Sequence, residues 1–301
     1  MNRLQRILDH KRAEVAMRQC ERPSGLLREA IAQQASAAAL APAGNTASES
    51  ATRSLRHSLQ EVSRAGKHPA VIAEFKRRSP SAGSLTNTAA ADPTRQVAQV
   101  TRGYAAAGAA GLSILTDEAF FGGSAADLMA AREAVALPLL RKDFILEPYQ
   151  LLEAKLWGAD AVLLIAECLS ASELADLHEQ ALALHLEVLI EVHDVASLTK
   201  LPADLALVGI NHRDLRDFSV HLQRGPERLP ALRKACPKAL FVAESGINSA
   251  ADARLLLQAG FDALLIGSLF MRQPDPAAAL AEFLNACAVN PSPITEQMFN
   301  S

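Results

Sequence analysis

Aromatic residues are scarce. One Trp, two Tyr and ten Phe make up 4% of the 301 residues. A core built from this chain must therefore be filled by Leu, Ala, Val and Ile. Hydrophobic residues still reach 50%, which allows a large core and excludes global disorder. Cysteine is also sparse: Cys20, Cys168, Cys236 and Cys287 are scattered with no CxxC spacing, which argues against a zinc knuckle or a disulfide framework. No charge of one sign dominates, since 30 Lys and Arg face 33 Asp and Glu for a formal net charge of -3. There is thus no basic face for nucleic acid and no polybasic patch for a membrane. No apolar run approaches the ~18 residues of a membrane span. The start, MNRLQRILDHKRAEVAMRQ, alternates charged and apolar residues and lacks the continuous apolar segment of a signal peptide. These absences point to a cytoplasmic protein with reduced thiols. At roughly 150 residues per domain, the length suits two domains or one α/β barrel.

The first part of the chain differs from the rest. Leu4, Ile7, Leu8, Lys11 and Val15 recur at helical spacing. Residues 33–52 are rich in Ala, Ser, Thr, Asn and Gly and read as a flexible connector. Helical propensity returns from Ser54 to Arg64. The expected organisation is an N-terminal helical extension over 1–65, a catalytic barrel over 66–287 and a flexible tail over 288–301.

Beyond His68, short apolar runs alternate with amphipathic stretches of helical length. There are eight runs: Ala70–Phe75, Gly111–Leu115, Leu137–Leu140, Ala161–Ile165, Glu187–Ile190, Leu205–Ile210, Leu240–Ala243 and Ala263–Ile266. Most are continuously apolar, as strands buried on both faces of a parallel sheet are. AAGAAG, LWGAD and LQAGFDA each place a glycine where a helix must stop before the next strand. The helix near Val195–Lys200 is short, and the segment before Leu240 is irregular. Eight β–α units predict a (β/α)8 TIM barrel of the α/β class. A doubly wound sheet shares this periodicity, and the pattern alone does not close the barrel.

Active sites of such barrels lie at the C-terminal ends of the strands, and reactive residues gather there. The first run ends in Glu74-Phe75-Lys76 with Ser79 beyond, the third in Arg141-Lys142-Asp143-Phe144 and the fifth in Glu191. The sixth ends in Asn211-His212-Arg213, the seventh in Glu244-Ser245-Gly246 and the eighth in Gly267-Ser268. One polar residue after an apolar run usually just starts a solvated loop, but two lysines and three glutamates on separate runs are harder to dismiss. A lysine beside another cation and a desolvating wall loses pKa and becomes a proton donor. Gly246, Gly267 and Ser268 lie in the loops after strands seven and eight, the usual phosphate site of this fold. Ser79 and Lys76 are placed to reach the same anion from the first loop.

Several segments closely resemble the indole-3-glycerol phosphate synthases. They are VIAEFKRRSPSAG at 71–83, ILTDEAFFGGS at 114–124, the RKDF and PYQ stretch within 137–169, LEVLIEVHD at 186–194, VGINHRDLRDFSVHL at 208–222, and the ESGI to IGS segment within 242–276. The resemblance implies ring closure of 1-(2-carboxyphenylamino)-1-deoxyribulose 5-phosphate, with loss of carbon dioxide and water, in tryptophan biosynthesis. It implies a carboxy-lyase with no cofactor and no metal. By the same resemblance Lys142 is the general acid and Glu191 the general base. Lys76 pairs with the substrate carboxylate, Glu74 orients both lysines, Asn211 holds the reacting carbonyl and Ser245 donates to substrate. Arg213 and Glu244 surround that carbonyl. Ser79, Gly246, Gly267 and Ser268 match positions around the phosphate, and Phe121 and Phe144 pack on the anthranilate ring. His212 departs from the small polar residue usual in the family and reads as packing behind the site. The family's extension packs over the mouth of the site, so Arg53, Leu55 and Leu59 are expected in a lid.

The expected partner is a phosphorylated small molecule bound by a monomer or weak homo-oligomer. Three other readings stay open on the residues. An isomerase of the preceding step would use a cysteine/aspartate pair, with Cys168 as the candidate. A Schiff-base aldolase would use Lys142 or Lys76 as the amine. A barrel without catalysis would keep only the phosphate site.

Overall fold

A computed structural model describes residues 3–40, 53–79, 83–85, 92–202, 204–214 and 219–288. Eight parallel strands close into a barrel: β1 (Val71–Phe75), β2 (Gly111–Leu115), β3 (Leu139–Lys142), β4 (Ala161–Ile165), β5 (Glu187–Val192), β6 (Leu207–Asn211), β7 (Leu240–Glu244) and β8 (Ala263–Ile266). Each strand pairs with its neighbours in sequence, and β8 pairs back on β1, with Ile72 opposite Leu265. This closure removes the doubly wound alternative. Where runs continue into polar residues, so do the strands: Lys142, Glu191, Asn211 and Glu244 all stay in the ladder.

The helices are α1 (Arg3–Glu21), α2 (Ser24–Leu40), α3 (Leu55–Ala65), α4 (Pro93–Ala107), α5 (Glu118–Phe121), α6 (Ala125–Ala134), α7 (Pro148–Leu156), α8 (Ala171–Ala183), α9 (Arg224–Ala235), α10 (Ala250–Gln258), α11 (Ser268–Met271) and α12 (Pro276–Ala288). Local chemistry sets their ends. Asp92 caps α4 through the N–H groups of Thr94 and Arg95, Pro93 takes the first helical position, and Gly108 ends it at φ 100°. Ser170 and Glu173 form a reciprocal capping box on α8. A single-turn 3₁₀ segment, Ala166–Cys168, follows β4, and the 3₁₀ segment Val195–Lys200 makes the crossover between β5 and β6.

Two expectations change. The first eight positions of the expected connector, residues 33–40, continue α2 as helix, while 41–52 lie outside the described residues, as do 289–301 of the expected tail. The segment before Leu240 is not irregular. It forms α9 despite Pro230 in its interior. Burial of Leu229 and Leu232 against the barrel offsets the hydrogen bond that Pro230 cannot donate.

Strand alternation sorts the side chains. Ile72, Leu140, Leu163, Leu189, Leu207, Val242 and Leu265 fill the barrel interior, while Val71, Leu139, Val162, Val188, Val208, Phe241 and Leu264 face the helices. Two residues further along the same strands, the inward positions carry Glu74, Lys142, Glu191, Gly209 and Glu244. The site therefore rests on an apolar layer that holds its strands in register.

The N-terminal extension grips the barrel at both ends. Leu55 and Leu59 of α3 are fully buried, and Ser54 and Arg56 bind Glu187, the first residue of β5. Ser58 donates to the carbonyl of Ala110, just before β2. These contacts lie at the N-terminal ends of the strands, so Leu55 and Leu59 plug the floor and do not form the expected lid. The mouth is reached by α1 instead. Its Ile7 and Leu8 join a buried cluster with Phe144, against which Phe120 and Phe121 pack.

Candidate active site

A cavity of about 380 Å³ opens at the C-terminal ends of the strands. That volume is within the usual range for a small-molecule site. All fourteen residues expected in the site line it: Glu74, Lys76, Ser79, Phe121, Lys142, Phe144, Glu191, Asn211, Arg213, Glu244, Ser245, Gly246, Gly267 and Ser268.

The centre is an ion cluster fed by three strands. Lys142 Nζ of β3 lies 2.9 Å from Glu191 Oε2 of β5 and also contacts Glu244 Oε2 of β7. Asn211 of β6 hydrogen-bonds Glu191, and its Oδ1 accepts the Arg213 backbone N–H at 2.9 Å. Across the cavity, Lys76 Nζ donates to Glu74 Oε1 at 2.6 Å. Close backbone approach makes room for both acids. A Cβ on Gly209 would stand 2.0 Å from Glu244 Oε1, and one on Gly267 would stand 2.5 Å from Glu74 Oε1.

Burial would lower the Lys142 pKa, but Glu191, Glu244 and Glu74 outweigh it and hold the ammonium above its ordinary value. Lys142 is thus a strengthened ammonium and not the weakened lysine that the sequence suggests, because three carboxylates act on it. Glu244 is pushed up by burial and by the neighbouring Glu191, so it is the member of the pair that retains a proton. Burial would also raise Glu191, but Lys142, His193 and Asn211 bring it below the ordinary carboxylate range.

Ser245 leaves β7 in the left-handed region at φ 64°, which is uncommon for a residue with a Cβ. His212 holds this turn: its Nδ1 donates to the carbonyls of Glu244 at 2.8 Å and Ser245 at 3.2 Å. Burial lowers its pKa, so it serves as a neutral packing group, as its position suggested. Phe121 and Phe144 form one wall with ring centroids 6.2 Å apart.

Sequence reasoning missed several lining residues. Leu163 and Leu265 form the apolar floor, and nothing in a run of leucines marks those two. Arg272, just past α11, adds a cation beside the last loop. Lys11 was visible as a charge on the apolar stripe of α1. It is fully buried, with Nζ 2.9 Å from both Asp117 and Asp143 and 3.0 Å from Glu14. Asp117 caps α5 by accepting from the N–H groups of Phe120 and Phe121, and Asp143 follows Lys142 directly. Through these two aspartates α1 braces the aromatic wall and the end of β3.

The sequence profile that describes indole-3-glycerol phosphate synthase matches residues 4–283, nearly the whole chain. The chain belongs to the indole-3-glycerol phosphate synthase family. The indole-3-glycerol phosphate synthase of Azoarcus sp. is 48% identical over 213 residues, covering 70% of this chain and 78% of its own. Those of Acidithiobacillus ferrooxidans and Verminephrobacter eiseniae are each 42% identical over 92% of this chain, and the match covers 96% and 97% of their lengths. Among solved structures, a 3-hexulose-6-phosphate synthase superposes with a TM-score of 0.51 at 16% identity, over 72% of this chain and 99% of its own. At that identity the likeness is one of fold. An indole-3-glycerol phosphate synthase is a carboxy-lyase of tryptophan biosynthesis, and the match over both extension and barrel gives this chain that function.

The family relation also weighs on the competing readings. A Schiff base needs a neutral amine, whereas Lys142 is held as an ammonium. Burial, Glu191 and Glu167 push the Cys168 thiol well up, which leaves it a poor acid–base partner for an isomerase.

Proposed function

We propose that Lys142, Glu191 and Lys76 divide the work of the synthase reaction across this cavity. The observation that carries the reading is the Lys142 ammonium held between Glu191 and Glu244 above an apolar floor. The aromatic ring of the substrate is a weak nucleophile until the ketone is polarised. Lys142 supplies that polarisation as the ketone oxygen takes the place of one carboxylate, and it protonates the oxygen as the ring closes. Loss of carbon dioxide then restores the electrons to the ring system. Glu191, an ionised carboxylate, removes the proton that accompanies loss of water. Lys76, on the opposite side and oriented by Glu74, pairs with the substrate carboxylate before it leaves and assists dehydration. Asn211 orients Glu191 and the carbonyl, and Ser245 donates to substrate. Phe121 and Phe144 pack on the anthranilate ring, which lowers the local dielectric around the charged contacts.

The phosphate sits against the loops after β7 and β8. Gly246 and Gly267 allow close backbone approach there, with the Ser268 hydroxyl, Ser79, Arg213 and Arg272 around them. Replacing Ser268 with alanine is expected to raise KM by about tenfold with little change in kcat, the loss of one hydrogen bond to a charged group. Unchanged KM in steady-state assays counts against this placement.

The enzyme acts in the cytoplasm as a monomer or weak homo-oligomer. Among the described residues no helix is long and apolar enough to cross a membrane. Among the described residues the exposed large apolar side chains Met17, Leu26, Met129 and Leu182 belong to four different helices, a scatter that supports this reading. The function itself is tested by incubating the protein with the carboxyphenylamino-deoxyribulose phosphate and following indole fluorescence. Product formation is expected without added cofactor, and its absence with well-folded protein overturns the reading.

A further inference from the structure

His193 stands two residues beyond Glu191 at the end of β5, outside the cavity lining. Its backbone N–H donates to Glu167 Oε1 at 2.8 Å, and its ring Nδ1 donates to Glu167 Oε2 at 2.9 Å. Ser197 Oγ adds a third contact to Glu167 Oε1 at 2.7 Å. With Nδ1 committed to a carboxylate, Nε2 is turned to Glu191 Oε1, 3.5 Å away. That nitrogen is buried and has no hydrogen-bond partner among the described residues. The two oxygens of Glu191 therefore face two different nitrogens: Oε2 faces Lys142 Nζ and Oε1 faces His193 Nε2.

Charge balance gives this contact its meaning. Lys142 is shared by Glu191 and Glu244, and the proton that Glu244 retains leaves Glu191 as the charged acid of the pair. Which of two such acids stays ionised is decided by the groups beside each carboxylate. We propose that His193, held by Glu167, is a positioning residue whose imidazolium beside Oε1 keeps Glu191, rather than Glu244, the ionised acid and aims its Oε2 at Lys142. The inference rests on Glu191 as the base of the proposed reaction.

The surrounding groups agree. Burial would lower the His193 pKa, but Glu167, Glu191 and Glu244 raise it above its ordinary value. Asp194, next in sequence, is occupied in capping the Val195–Lys200 segment at Ser197. Lys200 of that segment gives its Nζ to the carbonyls of Ala166 and Leu169, and the Cys168 thiol is held neutral. The acids that act on the imidazole are thus Glu167 at Nδ1, Glu191 at Nε2 and Glu244.

The test is the pH profile of kcat/KM for native enzyme, H193Q and H193N. Removing the cation lets Glu191 keep its proton to higher pH. The acidic limb should then move up by about one pH unit, the usual effect of one neighbouring charge. His193→Lys returns a cation and should bring the limb back toward its native position. A rate loss with an unmoved limb in both neutral variants reduces His193 to packing and overturns the proposal. If the variants do not fold, the same titration is read on native enzyme with glutamate carboxylates isotopically labelled, by difference infrared spectroscopy. A Glu191 carboxylate band that is indifferent to the titration of His193 overturns it equally. Glu191→Gln separates the two readings. If it leaves turnover and the limb intact, the base assignment fails. If it abolishes turnover while H193Q leaves the limb in place, only the role of His193 fails.

Discussion

Replacing Lys142 with alanine is expected to remove a factor on the order of 100 to 10,000 from kcat while the barrel stays folded. Lys142 is the last residue of β3 and points inward two positions after Leu140, so it is held by strand geometry as well as by its ion pairs. Truncation leaves Glu191 and Glu244 facing each other without their shared ammonium. Both then hold protons more tightly, and the site loses its acid and weakens its base in one change. KM should move much less than kcat, since the phosphate and anthranilate contacts lie on other loops. Indole fluorescence gives the rate, and circular dichroism and thermal unfolding check the fold. A folded variant turning over within a few-fold of native removes Lys142 from its role.

The second large effect is on stability. Replacing Lys11 with methionine keeps most of the stem and removes the charge, leaving Asp117 and Asp143 buried without their common partner. Breaking a buried ion network in this way costs about 3–5 kcal/mol, read as a lower urea midpoint. Arg141 continues to serve Asp143 through Nη2 at 2.9 Å, so the loss falls mainly on Asp117 and on the seating of α1. Because Asp117 caps the turn that carries Phe121, KM should rise as well. The network also sets a pH dependence. Burial would raise the Asp143 carboxyl, but Lys11 and Arg141 depress it far below the ordinary range. Its stabilisation is complete above the unfolded carboxylate pKa of about 4 and is lost as pH falls through the folded value. The native protein should therefore lose stability in acid more steeply than the Lys11→Met variant. Parallel acid profiles for the two would count against the network.

Much of the site was legible because it follows a local rule. A parallel strand alternates inward and outward residues, so Glu74, Lys142, Glu191 and Glu244 at the ends of apolar runs are confined to one face and one end. The loops after β7 and β8 were equally legible from Gly246, Gly267 and Ser268. Other features were not. Pro230 is a local stop signal that tertiary burial of Leu229 and Leu232 overrides. Leu55 and Leu59 have the spacing of any amphipathic helix, and nothing in that spacing says which end of the barrel they cover. Lys11 stood on an apolar stripe, but two of its three partners, Asp117 and Asp143, are more than a hundred residues away.

Eight alternating units, the residues that crown them and, through the motifs that carry the resemblance, the family can be read along the chain. Closure of the sheet, the sealing of the floor by α3, the bracing of the mouth by α1 and the pairing of charges come from the three-dimensional packing. Periodicity and capping are set by neighbours within a turn or a strand. Closure and ion pairing depend on distances across the barrel, and the protonation of Lys142, Glu191 and Glu244 depends on how completely that closure excludes water. For that reason Lys142, read from the sequence as a proton donor of lowered pKa, is held as an ammonium by the carboxylates around it.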